Sequence, residues 1–357
     1  MKKFPFIVLL FISALCAAQK TKTENLVIVT LDGMRWEEVF GGIDSQIVVN
    51  KKFTRDSAEV VKVFGAADRN ERCRKLFPFL WNTVAVQGQL YGDRLNGSEV
   101  NNANRYKFSY PGYNEIFTGY PDSGVNSNDK VKNPNTSVLE FLAKQKSFDG
   151  QIAAFTSWDV FPYIFNKWRS GIYVNSDTDS LPLESPTLKL INDMQFIEAR
   201  PLGLRMDLLT YFAGREYLKA RHPRVLYIAF DETDDFAHAG EYDQYLKSAH
   251  AEDAMISDLW NLLQSMPAYR DKTTLIVTCD HGRGNKIKEQ WRDHGQKVED
   301  AGQIWIAAIG PDTKAMGLVK TPTPLYQKQI APTLAALLGF NFVPDHEEST
   351  PIHTIVQ

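Results

Sequence analysis

The sequence predicts an α/β fold built on a mostly parallel sheet that helices cover on both faces. Apolar runs alternate with helical patterns along the chain, and this alternation is typical of parallel sheets. The runs are continuous in apolar residues, as expected for strands buried on both faces. With 357 residues, the chain is long enough for one large domain or two smaller ones. We expect the functional groups to lie beyond the carboxyl ends of the strands, where such sheets gather them.

The apolar runs and helical patterns give the order of the elements. Strands are predicted at residues 26–31, 151–155, 225–230, 274–279 and 304–309. Helices are predicted at residues 74–86, 137–146, 205–220, 244–265 and 327–338, the last of which ends before Gly339 as helices often do. Two longer stretches rich in polar residues, Gly and Pro, near residues 41–72 and 161–201, are predicted to be cap insertions over the site. No internal repeat or linker divides residues 19–357, so we expect one domain.

The first 18 residues have the pattern of a signal peptide. Lys2 and Lys3 provide a positive start, residues 4–15 are mostly apolar, and Cys16 to Ala18 form a small-residue cleavage site. The apolar stretch is short for a membrane span, and no other segment approaches about 20 consecutive apolar residues. We therefore expect an exported protein, periplasmic or secreted, whose mature chain has no membrane span.

Charge and cysteine content narrow the possible partners. The 40 Lys and Arg residues nearly balance the 43 Asp and Glu residues, giving a net charge of −3 without a basic run. This composition argues against a nucleic acid duplex as partner and favours a small molecule.

Removal of the signal peptide leaves two cysteines, Cys73 and Cys279. They could pair in an oxidising compartment, but we expect Cys279 to be a free, buried thiol because it belongs to an apolar strand.

Side chains that bind metal ions follow the predicted strands. Asp280 and His281 emerge together after residues 274–279, where a carboxylate and an imidazole can close on one divalent ion. Asp32 follows residues 26–31 in the same way. An Asp-His-Gly sequence also makes ordinary strand-to-loop turns, so a metal site requires further ligands from elsewhere in the chain.

An acidic segment after residues 225–230 supplies a second group of candidates. If it forms one helical turn, Asp234 and His238 lie on one face and can share an ion. Asp231 or Asp235 could substitute for Asp234, and the cluster also fits a solvated acidic loop. The candidate ligands, enough for two ions with three protein donors each, are Asp32, Asp234, His238, Asp280, His281 and His294.

Ser109 is the candidate nucleophile. Ser109-Tyr110-Pro111 precedes a helical pattern, so Ser109 is expected at a helix N-terminus, where a serine is most often a cap. The same position favours an oxyanion, because backbone amides and the helix dipole stabilise negative charge, and a metal ion would stabilise it further.

Taken in order, these motifs resemble the alkaline phosphatase superfamily, most closely its type I phosphodiesterase/nucleotide pyrophosphatase branch. The matching motifs are Leu31-Asp32-Gly33, Ser109-Tyr110-Pro111, Thr118-Gly119-Tyr120-Pro121, Asp234-x-x-x-His238, Asp280-His281-Gly282 and His294-Gly295. They span most of the mature chain. The resemblance implies an α/β/α sandwich of the alkaline phosphatase type that holds two zinc ions and reacts through a covalent phosphoserine.

The resemblance also implies a role for each candidate. One zinc ion would be held by Asp234, His238 and His294. The other would be held by Asp32, Asp280, His281 and the nucleophile Ser109. Asn128 resembles the phosphate-contacting asparagine of the family, although Asn126 is nearly as well placed. Zinc is inferred from the ligand types, and manganese or iron suits the same donors.

The chain departs from the family pattern close to the nucleophile. Gly112-Tyr113 replaces the Asn-His that nucleotide pyrophosphatases carry after the proline, which leaves the substrate open. The context of Ser109 does not match the sulfatase motif. Phosphomonoesterases of the superfamily add cationic phosphate contacts, for which the candidates here are Arg35, Lys167 and Arg169. We expect an exported two-metal hydrolase of phosphoric mono- or diesters; the alternatives are a sulfatase-like ester hydrolase and a catalytically silent ligand-binding homologue.

Overall fold

The computed structural model describes residues 21–182, 185–198, 204–343, 346 and 349–357. The strands are β1 (Asn25–Leu31), β2 (Gln89–Tyr91), β3 (Val100–Asn101), β4 (Ile152–Thr156), β5 (Tyr173–Ser176), β6 (Val225–Phe230), β7 (Thr273–Thr278), β8 (Gln303–Ile304), β9 (Ile306–Ile309), β10 (Gly317–Leu318) and β11 (Leu325–Tyr326). The α-helices are α1 (Trp36–Gly41), α2 (Ser45–Val48), α3 (Ser57–Phe64), α4 (Arg69–Leu76), α5 (Ala85–Gln87), α6 (Ser109–Thr118), α7 (Val138–Ala143), α8 (Phe161–Ile164), α9 (Lys167–Ser170), α10 (Pro186–Ile197), α11 (Asp207–Arg221), α12 (Glu232–Ala239), α13 (Tyr242–Ser265) and α14 (Ile330–Leu337). The signal peptide predicted at residues 1–18 lies outside the described residues.

A central sheet of eight strands has the order β10-β2-β9-β7-β1-β6-β4-β5. The strands from β7 to β5 in this order run parallel to one another, whereas β9 is antiparallel to both β7 and β2. A smaller sheet has the order β11-β3-β8. The predicted mostly parallel sheet is therefore confirmed.

Both faces of the central sheet are covered. Every residue of β1, β4, β6 and β7 is buried, so the side chains on both sides of these strands are shielded from water. This burial explains why the strands are continuous apolar runs rather than alternating ones. Helix α11 packs on β4 and β6, while the 24-residue helix α13 contacts β1 and α12.

The helix predicted at residues 74–86 is broken at a proline. Helix α4 ends at Leu76, and a wide π-helical turn covers Leu80–Val84. Phe77, which precedes Pro78, has φ −123° and ψ 70°, outside the helical region, as the steric clash with a following proline requires. The carboxylate of Asp253 accepts hydrogen bonds from the backbone N–H groups that follow the break.

The strand predicted at residues 304–309 is two short strands in different sheets. Strand β8 pairs with β3 in the small sheet, and β9 pairs with β7 in the central sheet. Trp305 separates them and is fully buried, with its indole N–H donating to the carbonyl of Met34 at 3.0 Å. A continuous apolar run does not reveal such a change of sheet, because both pieces are buried.

The two predicted cap insertions differ in structure. Residues 41–72 contain α2, α3 and the start of α4, all short helices. Residues 161–201 include β5, which is the edge strand of the central sheet, so the segment around β5 is part of the main sheet. Cys73 and Cys279 are both buried and unpaired, as expected. Within the described residues, every helix is too short or too polar to cross a membrane.

Candidate metal centre

Three neighbouring strands of the central sheet end at the same edge. Strand β1 lies between β6 and β7 and is parallel to both, so the residues after Leu31, Phe230 and Thr278 emerge side by side. These are the strand ends that carry the predicted metal ligands. The order of the strands therefore brings together groups that are far apart in the sequence.

Asp32, Asp280 and His281 form a buried cluster beyond β1 and β7. The imidazole Nε2 of His281 lies 3.4 Å from Asp32 Oδ1 and 3.4 Å from Asp280 Oδ2. These three atoms are buried without a hydrogen-bond partner among the described residues. Buried polar atoms left without partners are costly. A divalent cation would satisfy all three at once, so the residues fit a metal site.

Electrostatics around His281 agree with a cation site. Its Nδ1 donates to the carbonyl of Gly282 at 2.9 Å, which orients the ring so that Nε2 points toward the carboxylates. Burial disfavours the charged imidazole, yet Asp280 and Asp32 raise the pKa of His281 to about 9. Burial and the nearby Asp32 raise the pKa of Asp280. Two carboxylates that face each other in the interior need a positive charge between them.

Asp234, His238 and His294 form a second cluster next to the first. Helix α12 places Asp234 and His238 one turn apart, with His238 Nε2 3.2 Å from Asp234 Oδ2. His294 Nε2 lies 3.0 Å from His238 Nε2, and its Nδ1 donates to the carbonyl of Lys107 at 3.3 Å. The His281 ring stacks on the His294 ring with centroids 4.0 Å apart, so the two clusters touch. The donor atoms of Asp234, His281 and His294 lie close enough together to hold one divalent ion, and His238 Nε2 adjoins both Asp234 and His294.

Among the acidic residues of this segment, Asp234 is the one that faces a histidine. Asp231 precedes α12, and its backbone N–H donates to both oxygens of Asp207. Asp235 is exposed on α12. Burial and Asp32 raise the pKa of Asp231 well above its usual value and that of Asp235 to about 6, so both carboxyls hold a proton more readily than an exposed aspartate does. The geometry therefore favours Asp234 over the two alternatives.

Helix α6 begins at Ser109 and lies against the first cluster. Residues 109, 112 and 113 share a face of the helix, since they are three and four positions apart. Tyr113 donates to Asp32 Oδ2 at 2.8 Å, and a Cβ on Gly112 would lie 2.5 Å from the carbonyl oxygen of Asp280. Only glycine at position 112 allows this approach. Gly112-Tyr113, the departure from the family pattern, thus brings the face that carries Ser109 onto Asp32 and Asp280.

The structure distinguishes the two asparagines near Ser109. Asn128 Oδ1 accepts a hydrogen bond of 3.0 Å from the backbone N–H of Tyr110, the residue after Ser109. Asn126 instead lines a neighbouring surface pocket with Val125. The Asn128 amide is therefore held beside the start of α6, where its N–H groups can meet a phosphate.

Arg283 is a charged residue of the centre that the sequence analysis missed. Its guanidinium is buried, forms an ion pair with Asp234 Oδ1 and donates to the carbonyl of Gly33 at 3.1 Å. Gly33 has φ +58°, and a Cβ there would lie 2.6 Å from Arg283 Nη2. The position of Arg283, three residues after Asp280, was the only signal in the sequence.

The three candidate cations for a phosphate contact interact with other groups of the protein. Arg35 is fully buried and pairs with Glu38 at 3.0 Å. Arg169 forms an ion pair with Glu140 at 2.8 Å and donates to backbone carbonyls of residues 133–135. The Lys167 ammonium lies 4.0 Å from Asp179. Arg35 therefore takes part in an ion pair in the protein interior, and Arg169 holds the loop of residues 133–135.

Three solved structures share this architecture. The wild-type alkaline phosphatase PafA is 10% identical, with a TM-score of 0.63, covering 96% of this chain and 100% of that one. The lipoteichoic acid synthase LtaP from Listeria monocytogenes is 14% identical, with a TM-score of 0.56, covering 89% and 72%. A 2-O GAG sulfatase is 12% identical, with a TM-score of 0.54, covering 94% and 74%. The likeness establishes an alkaline phosphatase-like fold, and superfamily members use metal ions.

The sequence also matches a protein family. No curated protein matches the chain significantly. In contrast, the family model of the type I phosphodiesterase / nucleotide pyrophosphatase family matches residues 44–316, which is most of the chain. The protein therefore belongs to the type I phosphodiesterase / nucleotide pyrophosphatase family of the alkaline phosphatase superfamily.

Proposed function

We propose that this protein is a metal-dependent hydrolase of phosphoric esters in which Ser109 is the nucleophile. The observation that supports this most strongly is the set of buried atoms without partners in the cluster of Asp32, Asp280 and His281. The face of α6 that carries Ser109 lies against this cluster, as the contacts of Gly112 and Tyr113 indicate.

The residues would hold two ions. Asp32, Asp280 and His281 would bind one together with Ser109. Asp234, His238 and His294, whose donor atoms lie 3.0 to 3.9 Å from one another, would bind the other. Zn²⁺ is the proposed metal, because three carboxylate or imidazole donors with an open position suit it. When bound, the ions supply positive charge that favours an ionised Ser109 hydroxyl and offsets the charge of the leaving oxygen.

The chain's own groups carry the rest of the reaction. Ser109 Oγ attacks phosphorus, the P–O bond to the leaving group breaks, and the serine proton ends on the departing alcohol. Water then cleaves the phosphoserine ester and restores the hydroxyl. The amide of Asn128, fixed by its bond to the Tyr110 backbone, donates to a non-bridging phosphate oxygen.

A diester is the favoured substrate class. A phosphomonoester carries about two negative charges at neutral pH, and a diester carries one. Arg35 and Arg169 are engaged with Glu38 and Glu140, so they are not free to bind the second charge of a monoester.

We also propose export of the protein, which fractionation of expressing cells tests directly.

Parallel assays with three aryl esters test the proposed function. We expect bis(p-nitrophenyl) phosphate to be hydrolysed with the highest kcat/KM, p-nitrophenyl phosphate with a lower one, and p-nitrophenyl sulfate not to react. Removal of metal by a chelator should abolish turnover, and zinc should restore it. Turnover of the sulfate alone would indicate a sulfatase, whereas absence of both bound metal and turnover would indicate a ligand-binding homologue.

A further inference from the structure

Each carboxylate of the metal centre has one oxygen engaged by a donor from the protein. Tyr113 donates its hydroxyl hydrogen to Asp32 Oδ2 at 2.8 Å. The backbone N–H of Gly33 donates to Asp280 Oδ1 at 3.0 Å. Arg283 pairs with Asp234 Oδ1. The three donors come from different parts of the fold, yet each takes a single oxygen.

The second oxygen of each carboxylate faces the imidazoles. Asp32 Oδ1 and Asp280 Oδ2 are buried, have no hydrogen-bond partner among the described residues, and lie 3.4 Å from His281 Nε2. Asp234 Oδ2 lies 3.2 Å from His238 Nε2. Asp32 and Asp280 thus each have one engaged oxygen and one oxygen without a partner among the described residues. Asp234 Oδ1 also lies 3.9 Å from His281 Nε2 and from His294 Nε2, so Arg283 occupies an oxygen that faces these imidazoles and leaves Oδ2 beside His238.

We propose that Tyr113 and Arg283, together with the Gly33 backbone, are positioning groups that restrict the three carboxylates to one metal bond each. This inference rests on the proposed metal-dependent function. Ligation through one oxygen keeps the coordination number low, as tetrahedral zinc requires. Ions such as Ca²⁺ take six to eight oxygens, often from carboxylates that bind through both oxygens. The donors would therefore select the metal without touching it.

Tyr113 is well suited to this task. Its side chain is fully buried, and its hydroxyl donates to Asp32 Oδ2 at 2.8 Å. The ring packs edge-to-face on Phe161 with centroids 4.6 Å apart, which fixes the direction of the hydroxyl. A second buried tyrosine, Tyr227, shares a hydrogen bond of 2.7 Å with Thr30 Oγ1. Among the described residues, no hydrogen bond joins the Tyr227 hydroxyl to a carboxylate.

These two tyrosines provide a matched test. Metal-free full-length protein is titrated with Zn²⁺ and with Mn²⁺ for the wild type, Tyr113→Phe and Tyr227→Phe. We expect Tyr113→Phe to weaken Zn²⁺ binding by about 10- to 100-fold, the usual effect of losing a group that orients a ligand. Mn²⁺ binding should weaken less, because Asp32 can then use both oxygens. Tyr227→Phe should leave both affinities within about 2-fold of the wild type, since it removes a hydroxyl without freeing a ligand.

Arg283 provides an independent test at the other cluster. Arg283→Met should weaken the second of the two Zn²⁺ binding steps, and Arg283→Lys should restore part of it. Unfolding midpoints of the metal-free variants show whether a loss reflects the site or the fold. Unchanged Zn²⁺ affinity in a folded Tyr113→Phe variant, an equal loss for Mn²⁺, or an equal loss in Tyr227→Phe would overturn the inference while the proposed function stands. A wild-type protein that binds no divalent ion would instead overturn the proposed function.

Discussion

The side-chain oxygen of Asn128 accepts a hydrogen bond of 3.0 Å from the backbone N–H of Tyr110. This bond uses the oxygen of the amide and leaves its N–H groups to donate. It also ties the loop that carries Asn128 to the first turn of α6, where Ser109 lies. A neutral donor is thereby positioned beside the proposed nucleophile.

Asn128→Ala should reduce kcat/KM for the aryl phosphodiester by about 100-fold, the usual cost of losing one fixed donor to a developing oxyanion. Asn126→Ala is the matched control, because Asn126 lies on the same loop without the bond to Tyr110. Steady-state kinetics of both variants decide between the two residues. A larger loss in Asn126→Ala would reverse the assignment.

His281→Ala should remove bound metal. His281 Nε2 lies between Asp32 and Asp280 and is buried, so its loss leaves two facing carboxylates without a cation. We expect metal content to fall by at least one ion per chain when measured by elemental analysis. His250→Ala is the control, since His250 lies on α13 and bonds to the Leu76 carbonyl. Equal metal content in His281→Ala and His250→Ala would contradict the assigned ligand.

Gly33→Ala should disturb the centre as well as the backbone. Gly33 and Gly97 both have positive φ, +58° and +72°, but a Cβ on Gly97 meets nothing within 4 Å. Gly97→Ala should therefore lower the free energy of unfolding by about 1 kcal/mol, because only the left-handed backbone conformation is unfavourable for alanine there. Gly33→Ala adds a clash with Arg283, so the free energy of unfolding should fall further and metal should bind more weakly. Denaturant titration with and without zinc measures both effects, and identical behaviour of the two variants would refute the close contact.

Removal of metal should lower the stability of the wild-type protein. Ligands that bind only the folded state stabilise it by about 2.7 kcal/mol when their free concentration is about 100 times Kd. We expect the unfolding midpoint to rise with zinc concentration in the wild type and to respond less in Asp280→Asn, which weakens the first cluster. Thermal unfolding across a zinc titration measures this response. A midpoint that does not change with zinc would mean that the clusters hold no ion.

The sequence was sufficient to place the candidate metal ligands near one another, because most of them follow strand ends. Asp32 and Asp280 come directly after apolar runs, and parallel strands gather their carboxyl ends at one edge. Asp234 and His238 were paired by their helical spacing, which α12 confirms. Strand ends and helical spacing depend mainly on neighbouring residues, so they can be predicted without knowledge of the rest of the chain.

Contacts between segments that are distant in the sequence could not be predicted from these local patterns. The bond from Tyr113 to Asp32 joins residues 81 positions apart, and the pair of Arg283 with Asp234 joins residues 49 apart. Neither periodicity nor composition encodes such distances. The split of the run around Trp305 was missed because both strands are buried, whereas the break at Pro78 had a signal in the sequence, the proline itself.

Ser109→Ala tests the central claim most directly. The variant removes one oxygen from a side chain at the first position of α6, and Ser123→Ala removes the same atom from an exposed residue as a control. Turnover of bis(p-nitrophenyl) phosphate should fall by at least about 1,000-fold in Ser109→Ala, with metal content near that of the wild type, and stay normal in Ser123→Ala. Normal turnover in a metal-loaded Ser109→Ala variant would contradict the assignment of Ser109 as the nucleophile.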